Sequence, residues 1–127
     1  MRLLLDTHFL LWLAEGSPRL PSSLIEMVEN PENQLFFSVA SIWEIAIKVG
    51  RRPNFDVTAT LLRRHLLDNG YEELGVHGNH AVAVESLPHI HKDPFDRILI
   101  AQSLVEDLAL LTTDKTVARY GGPVMLL

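Results

Sequence analysis

Short, unbroken apolar runs alternate along this chain with longer stretches of helical character, and that alternation restricts the fold more than any other feature. Leu3-Leu4-Leu5 offers no polar side and is too short for a helix, so it reads as a strand buried on both faces. Comparable segments predict strands over 34–37, 71–76, 109–112 and 124–126. Between them, helices are expected over 7–14, from Pro21 to about Asn30, and from Ser38 or Ser41 through Lys48. Further helices are expected from Asp56 or Thr58 to Asn69-Gly70, around 79–86, from Asp93-Pro94 to about Asp107, and over 115–120. Gly16 with Pro18, Asn30-Pro31, Gly50 with Pro53, and Gly121-Gly122-Pro123 supply the breaks. Strands that each lead into helices imply an α/β fold, a three-layer α/β/α sandwich around a mainly parallel central sheet.

A length of 127 residues, with no internal repeat or low-complexity stretch, suits a single domain over 1–127. The absence of cysteine excludes disulfide frameworks, thiolate zinc sites, iron–sulfur clusters and cysteine nucleophiles. Asp6 and His8 interrupt the apolar start, which is shorter than the roughly 20 residues of a membrane span and lacks a signal peptide's basic flank. No membrane association and a cytoplasmic location are therefore expected. A formal charge of −5 argues against a generally basic nucleic-acid binder. Lys48, Arg51, Arg52, Arg63 and Arg64 nevertheless gather in one segment, where phosphate contact or a solvated helix face are both open.

Ligands of a parallel sheet bind at the carboxyl ends of its strands, so the acids found there matter most. Asp6 directly follows Leu3-Leu4-Leu5, and Asp114 follows the run ending in Thr112-Thr113. Glu44 falls in the first turns of the helix after the second strand, and Asp96 in the first turn of the helix begun by Asp93-Pro94. The four can converge on one pocket. Each also has a plainer role: Asp6 or Asp114 as a helix cap, Asp96 as a partner of the helix dipole, and Glu44 as one half of a salt bridge to Arg97 or Lys48. Glu44, set among Ile42, Trp43, Ile45, Ala46 and Ile47, is too costly to bury without a partner or a metal. Crowded carboxylates repel unless protonated or bridged by a cation, and oxygen-only ligands select Mg²⁺ or Mn²⁺. Phosphodiester hydrolysis is the natural chemistry of such a site.

Four blocks carry a family resemblance: Leu3-Leu4-Leu5-Asp6-Thr7-His8, Ser41-Ile42-Trp43-Glu44-Ile45-Ala46-Ile47-Lys48, the segment from His91-Lys92-Asp93-Pro94-Phe95-Asp96-Arg97 on to Gln102, and Leu111-Thr112-Thr113-Asp114. In this order and spacing they resemble PIN-domain ribonucleases, specifically the VapC-type toxins of toxin–antitoxin pairs, over essentially the whole chain. The resemblance implies an α/β/α sandwich and a Mg²⁺- or Mn²⁺-dependent endoribonuclease. It further implies a homodimer and a small cognate antitoxin of the VapB kind that blocks the site. Asp6, Glu44, Asp96 and Asp114 fall on the family's acidic positions. Asp96 is assigned to the metal and Asp93, directly before Pro94, chiefly to capping.

The reaction expected is in-line attack of metal-activated water on RNA, leaving a 5′-phosphate and a 3′-hydroxyl. Asp6 and Asp96 would bind the ion directly, with Glu44 and Asp114 acting directly or through water. Thr7 and Thr113 are accessory candidates for bonds to carboxylates or substrate. Arg97, Lys48 and Lys115 are candidates to hold phosphates or temper the acidic pocket, and Trp12 and Trp43 read as core or interface residues. His77 with His80, and His89 with His91, raise a zinc hydrolase, although no standard zinc spacing unites them. A phosphoacceptor receiver domain fits poorly, because Asp6 stands alone and Asp56 follows no buried run. The remaining alternatives are a catalytically silent PIN-fold binding module and a metal-dependent nuclease that is not a toxin.

Overall fold

In a computed structural model of the chain, which describes residues 1–49 and 57–127, five parallel strands form one sheet in the order β3-β2-β1-β4-β5. The expected stop at Gly50 and Pro53, the alternative helix start at Asp56, and the bases Arg51 and Arg52 lie outside the described residues. The strands are β1 (Arg2–Leu5), β2 (Gln34–Ser38), β3 (Glu72–Leu74), β4 (Ala109–Thr112) and β5 (Val124–Leu126). Between β1 and β2 run α1 (Thr7–Glu15) and α2 (Ser22–Glu29), and between β2 and β3 run α3 (Val39–Val49) and α4 (Ala59–Asp68). α5 (Gly78–Val84) and α6 (Pro94–Glu106) carry the chain from β3 across to β4, and α7 (Lys115–Ala118) joins β4 to β5.

Alternation along the strands divides the side chains between two cores. Leu3 and Leu5, Phe37 and Leu111 pack with Phe9, Leu10, Ile45, Leu62 and Leu66 on one face. Leu4, Phe36 and Leu110 pack with Leu99, Ile100 and Val117 on the other. The leucines of β1 are fully buried on both sides. The sheet is therefore the middle layer of three, as the alternating pattern predicts.

Three elements depart from expectation by more than one residue at an end. β3 is shorter than 71–76, because it lies at the sheet edge and pairs only where Glu72, Glu73 and Leu74 meet Phe36, Phe37 and Ser38. α5 begins at Gly78 and stops at Val84. α7 ends at Ala118, two residues before the expected limit, and Gly121 and Gly122, both at positive φ, turn the chain into β5. Among the described residues, no helix is long and apolar enough to cross a membrane.

Candidate active site

Strand order reverses between β1 and β4: from β1 the chain builds outward through β2 to β3, then returns to lay β4 on the opposite side. The crevice beyond the carboxyl ends at such a reversal is where open α/β sheets bind ligands. Asp6 and Asp114 stand there. Asp6 caps α1, its Oδ1 accepting from the Phe9 amide at 2.9 Å. Its Oδ2 accepts from the Thr112 hydroxyl at 2.6 Å, and only 4% of the residue is exposed. Burial pushes the Asp6 carboxyl above its usual range, the charge of Asp114 adds to the push, and the bonds from Thr112 and Phe9 oppose it.

The Thr112 hydroxyl joins the two acids, since it also accepts from the Asp114 amide at 3.0 Å. Period-two alternation explains why Thr112, and not the expected Thr113, bonds Asp6: Thr112 shares a strand face with Leu110, as Asp6 does with Leu4. Thr7, the other accessory threonine, donates to the Ser41 hydroxyl at 2.9 Å and so ties the start of α1 to α3. Asp114 caps α7, its Oδ1 accepting from the Thr116 and Val117 amides.

A second group of acids lies between α3 and α6. Ser38 caps α3 through the Ala40 amide, which puts Glu44 in the second turn, and Glu44 is only 5% exposed. Its partner is Lys48, one turn along, with Nζ to Oε2 at 2.5 Å. Asp93 caps α6, its Oδ1 accepting from the Phe95 and Asp96 amides, as its place before Pro94 predicts. Asp96 meets His91, with Nε2 2.7 Å from Oδ2. Burial, with the charges of Asp93 and Glu44, pushes the Asp96 carboxyl up to about 6 against the opposing pull of His91.

Arg97 is engaged by oxygens of neighbouring segments. Its guanidinium donates to the carbonyls of Pro88 (2.9 Å) and Val84 (3.2 Å) and to the Tyr120 hydroxyl (3.0 Å), so it pins the loop before α6 and is not paired with Glu44. Tyr120, unremarked in the sequence, also accepts from the His91 amide at 2.9 Å. The zinc alternative loses His80, which is fully buried. Its Nδ1 accepts from the His77 amide, and its Nε2 lies 2.8 Å from Glu106. Trp12 packs against Phe9. Trp43 is 62% exposed, with its ring edge-on to Phe95 beside an apolar groove of about 400 Å³.

The acids thus fall into two sets, Asp6 with Asp114 and Asp96 with Asp93 and Glu44. Among the described residues, the group of three metal-ligating side chains with donor atoms all within 4.8 Å is His91, Asp93 and Asp96, and the four predicted acids do not form such a group. One oxygen each of Asp93, Asp96 and Asp114 accepts no hydrogen bond among the described residues. Hard carboxylate oxygens, half-buried and short of partners, fit a divalent cation.

A family model described as the PIN domain matches residues 3–123. A chain from the structure of VapBC2 from Rickettsia felis bound to a promoter DNA fragment superposes with a TM-score of 0.73 at 14% identity, covering 100% of this chain and 98% of that one. VapBC-1 from nontypeable Haemophilus influenzae gives a TM-score of 0.69 at 14% identity, with 100% and 97% covered. A toxin–antitoxin complex from Klebsiella pneumoniae gives 0.65 at 17% identity, with 96% and 94% covered. At these identities the likeness is one of fold. A search of curated proteins found no significant match.

Proposed function

The chain belongs to the PIN domain family, and from that membership we propose that it is a divalent-metal-dependent endoribonuclease and the toxin of a toxin–antitoxin pair. One observation supports the reading: Asp6 and Asp114 follow the carboxyl ends of β1 and β4, Asp96 has Asp93 and Glu44 as charged neighbours, and the Asp6 and Asp96 carboxyls are held above their usual pKa range. Near neutral pH such a group needs a cation. Mg²⁺, or Mn²⁺, is the proposed cofactor, and when bound it supplies an activated water and offsets charge developing on the phosphoryl oxygens.

Asp6 and Asp96 would hold the ion, with Glu44 and Asp114 beside them, directly or through water. Thr112 fixes the Asp6 carboxylate by its bond to Oδ2. Lys48 balances Glu44 and would hold a substrate phosphate in its place. An antitoxin of the VapB kind, a homodimer and a cytoplasmic setting complete the proposal; the solved chains with this fold come from VapBC and toxin–antitoxin complexes, which supports the antitoxin.

The test is Asp6→Asn. Asparagine still caps a helix, so the variant should fold, whereas RNA cleavage should fall by on the order of 10²-fold. Wild-type products should carry 5′-phosphate and 3′-hydroxyl ends, and expression without an antitoxin should arrest growth in the wild type alone. Full cleavage by Asp6→Asn would remove Asp6 from the mechanism.

A further inference from the structure

We propose that His91 is a direct ligand of the divalent ion and that its imidazole tilts the site toward Mn²⁺ over Mg²⁺. The inference rests on the metal-dependent reading above and adds to it a nitrogen donor from outside the acidic positions.

His91 lies in the loop before α6, yet it is held from outside that loop. Its amide donates to the Tyr120 hydroxyl at 2.9 Å, and Arg97 bonds both that hydroxyl and the Pro88 carbonyl. The ring is therefore presented to Asp96 by long-range contacts. Its Nε2 is 2.7 Å from Asp96 Oδ2, and a donor atom from each of His91, Asp93 and Asp96 lies within 4.8 Å of the others.

Neighbouring ligands of an octahedral ion with bonds of about 2.1 Å stand about 3 Å apart, and opposite ones about 4.2 Å. The 2.7 Å between His91 and Asp96, and the 4.8 Å that bounds all three donors, lie near those values. Asp93 keeps its capping role meanwhile, because Oδ1 makes both cap bonds and Oδ2 accepts none among the described residues. The His91 and Asp96 side chains are 23% and 21% exposed, which leaves coordination positions open toward solvent.

The donor set decides the metal. Mg²⁺ is hard, dehydrates reluctantly and takes oxygen ligands, whereas imidazole nitrogen suits first-row transition ions. Mn²⁺ accepts carboxylate and imidazole together. A His91 nitrogen added to Asp96 and the other carboxylates should favour it beyond what carboxylates alone would give.

Pulsed electron paramagnetic resonance of the full chain loaded with Mn²⁺, with and without ¹⁵N-labelled histidine, reads ligation directly. Hyperfine coupling to a bound imidazole nitrogen is expected in the wild type and in His89→Ala, and should vanish in His91→Ala. Calorimetric affinity for Mn²⁺ should fall on the order of tenfold in His91→Ala, with a smaller loss for Mg²⁺. His91→Gln keeps a hydrogen-bond donor toward Asp96 and carries the same comparison should alanine disturb the loop. Mn²⁺ bound without nitrogen coupling, or with coupling that survives both His91 variants, overturns the assignment and leaves an oxygen-only nuclease site. A wild-type chain that binds neither ion overturns the metal-dependent reading as well.

Discussion

Asp96 holds its proton to about pH 6, against an ordinary value of 3.8, because burial and two neighbouring carboxylates oppose its ionisation. The folded state then binds that proton more tightly than the unfolded chain does. Between the two values, stability of the metal-free protein must fall as pH rises, and the contribution is gone above about pH 6. Asp96→Asn should therefore raise the stability of the chelator-treated protein at pH 7 by on the order of 1–3 kcal/mol. The gain should shrink toward pH 4, and thermal melts at the two pH values check both parts. Unequal legibility is plain among these residues. Asp6 and Asp93 could be placed from the sequence because capping is local, and Glu44 with Lys48 because one helical turn separates them. Thr112 and His91 could not, since their partners are set by which strands pair and by a tyrosine 29 positions away.

The helix α6 shows how one residue can serve an element and a site together. Asp93 and Pro94 start it, and the first turn then presents Asp96. If Asp93 contributes mainly as a cap, Asp93→Asn should leave stability nearly unchanged, while Asp93→Ala should cost about 1 kcal/mol. Chemical denaturation separates the two. Metal affinity should fall in both variants, because each removes a carboxylate. Element type was readable along the chain because the apolar periods switch between strand and helix. Limits such as those of β3 were not, because an edge strand ends where its neighbour stops offering hydrogen bonds, and that is a property of β2. The anchorage of Arg97 has the same origin: it bonds the last carbonyl of α5 and the carbonyl of Pro88, which the packing of α5 on α6 brings within reach.

Across the whole molecule, β1 is the common wall of both cores. Leu4 is fully buried on the α6 side, so Leu4→Ala should cost roughly 2–5 kcal/mol, read as a lowered denaturation midpoint with an unchanged slope. The three-layer class followed from the alternation of short apolar runs with helices, and the reversal of strand order could be found only in the assembled sheet. That reversal has an outcome for the life of the chain. The bond from Thr112 to Asp6 spans 106 positions, so the carboxylate crevice is completed only once β4 lies against β1. A nascent polypeptide still emerging from the ribosome carries Asp6 without its neighbours. In that state Asp6 has neither the Thr112 hydroxyl nor the charge of Asp114 beside it.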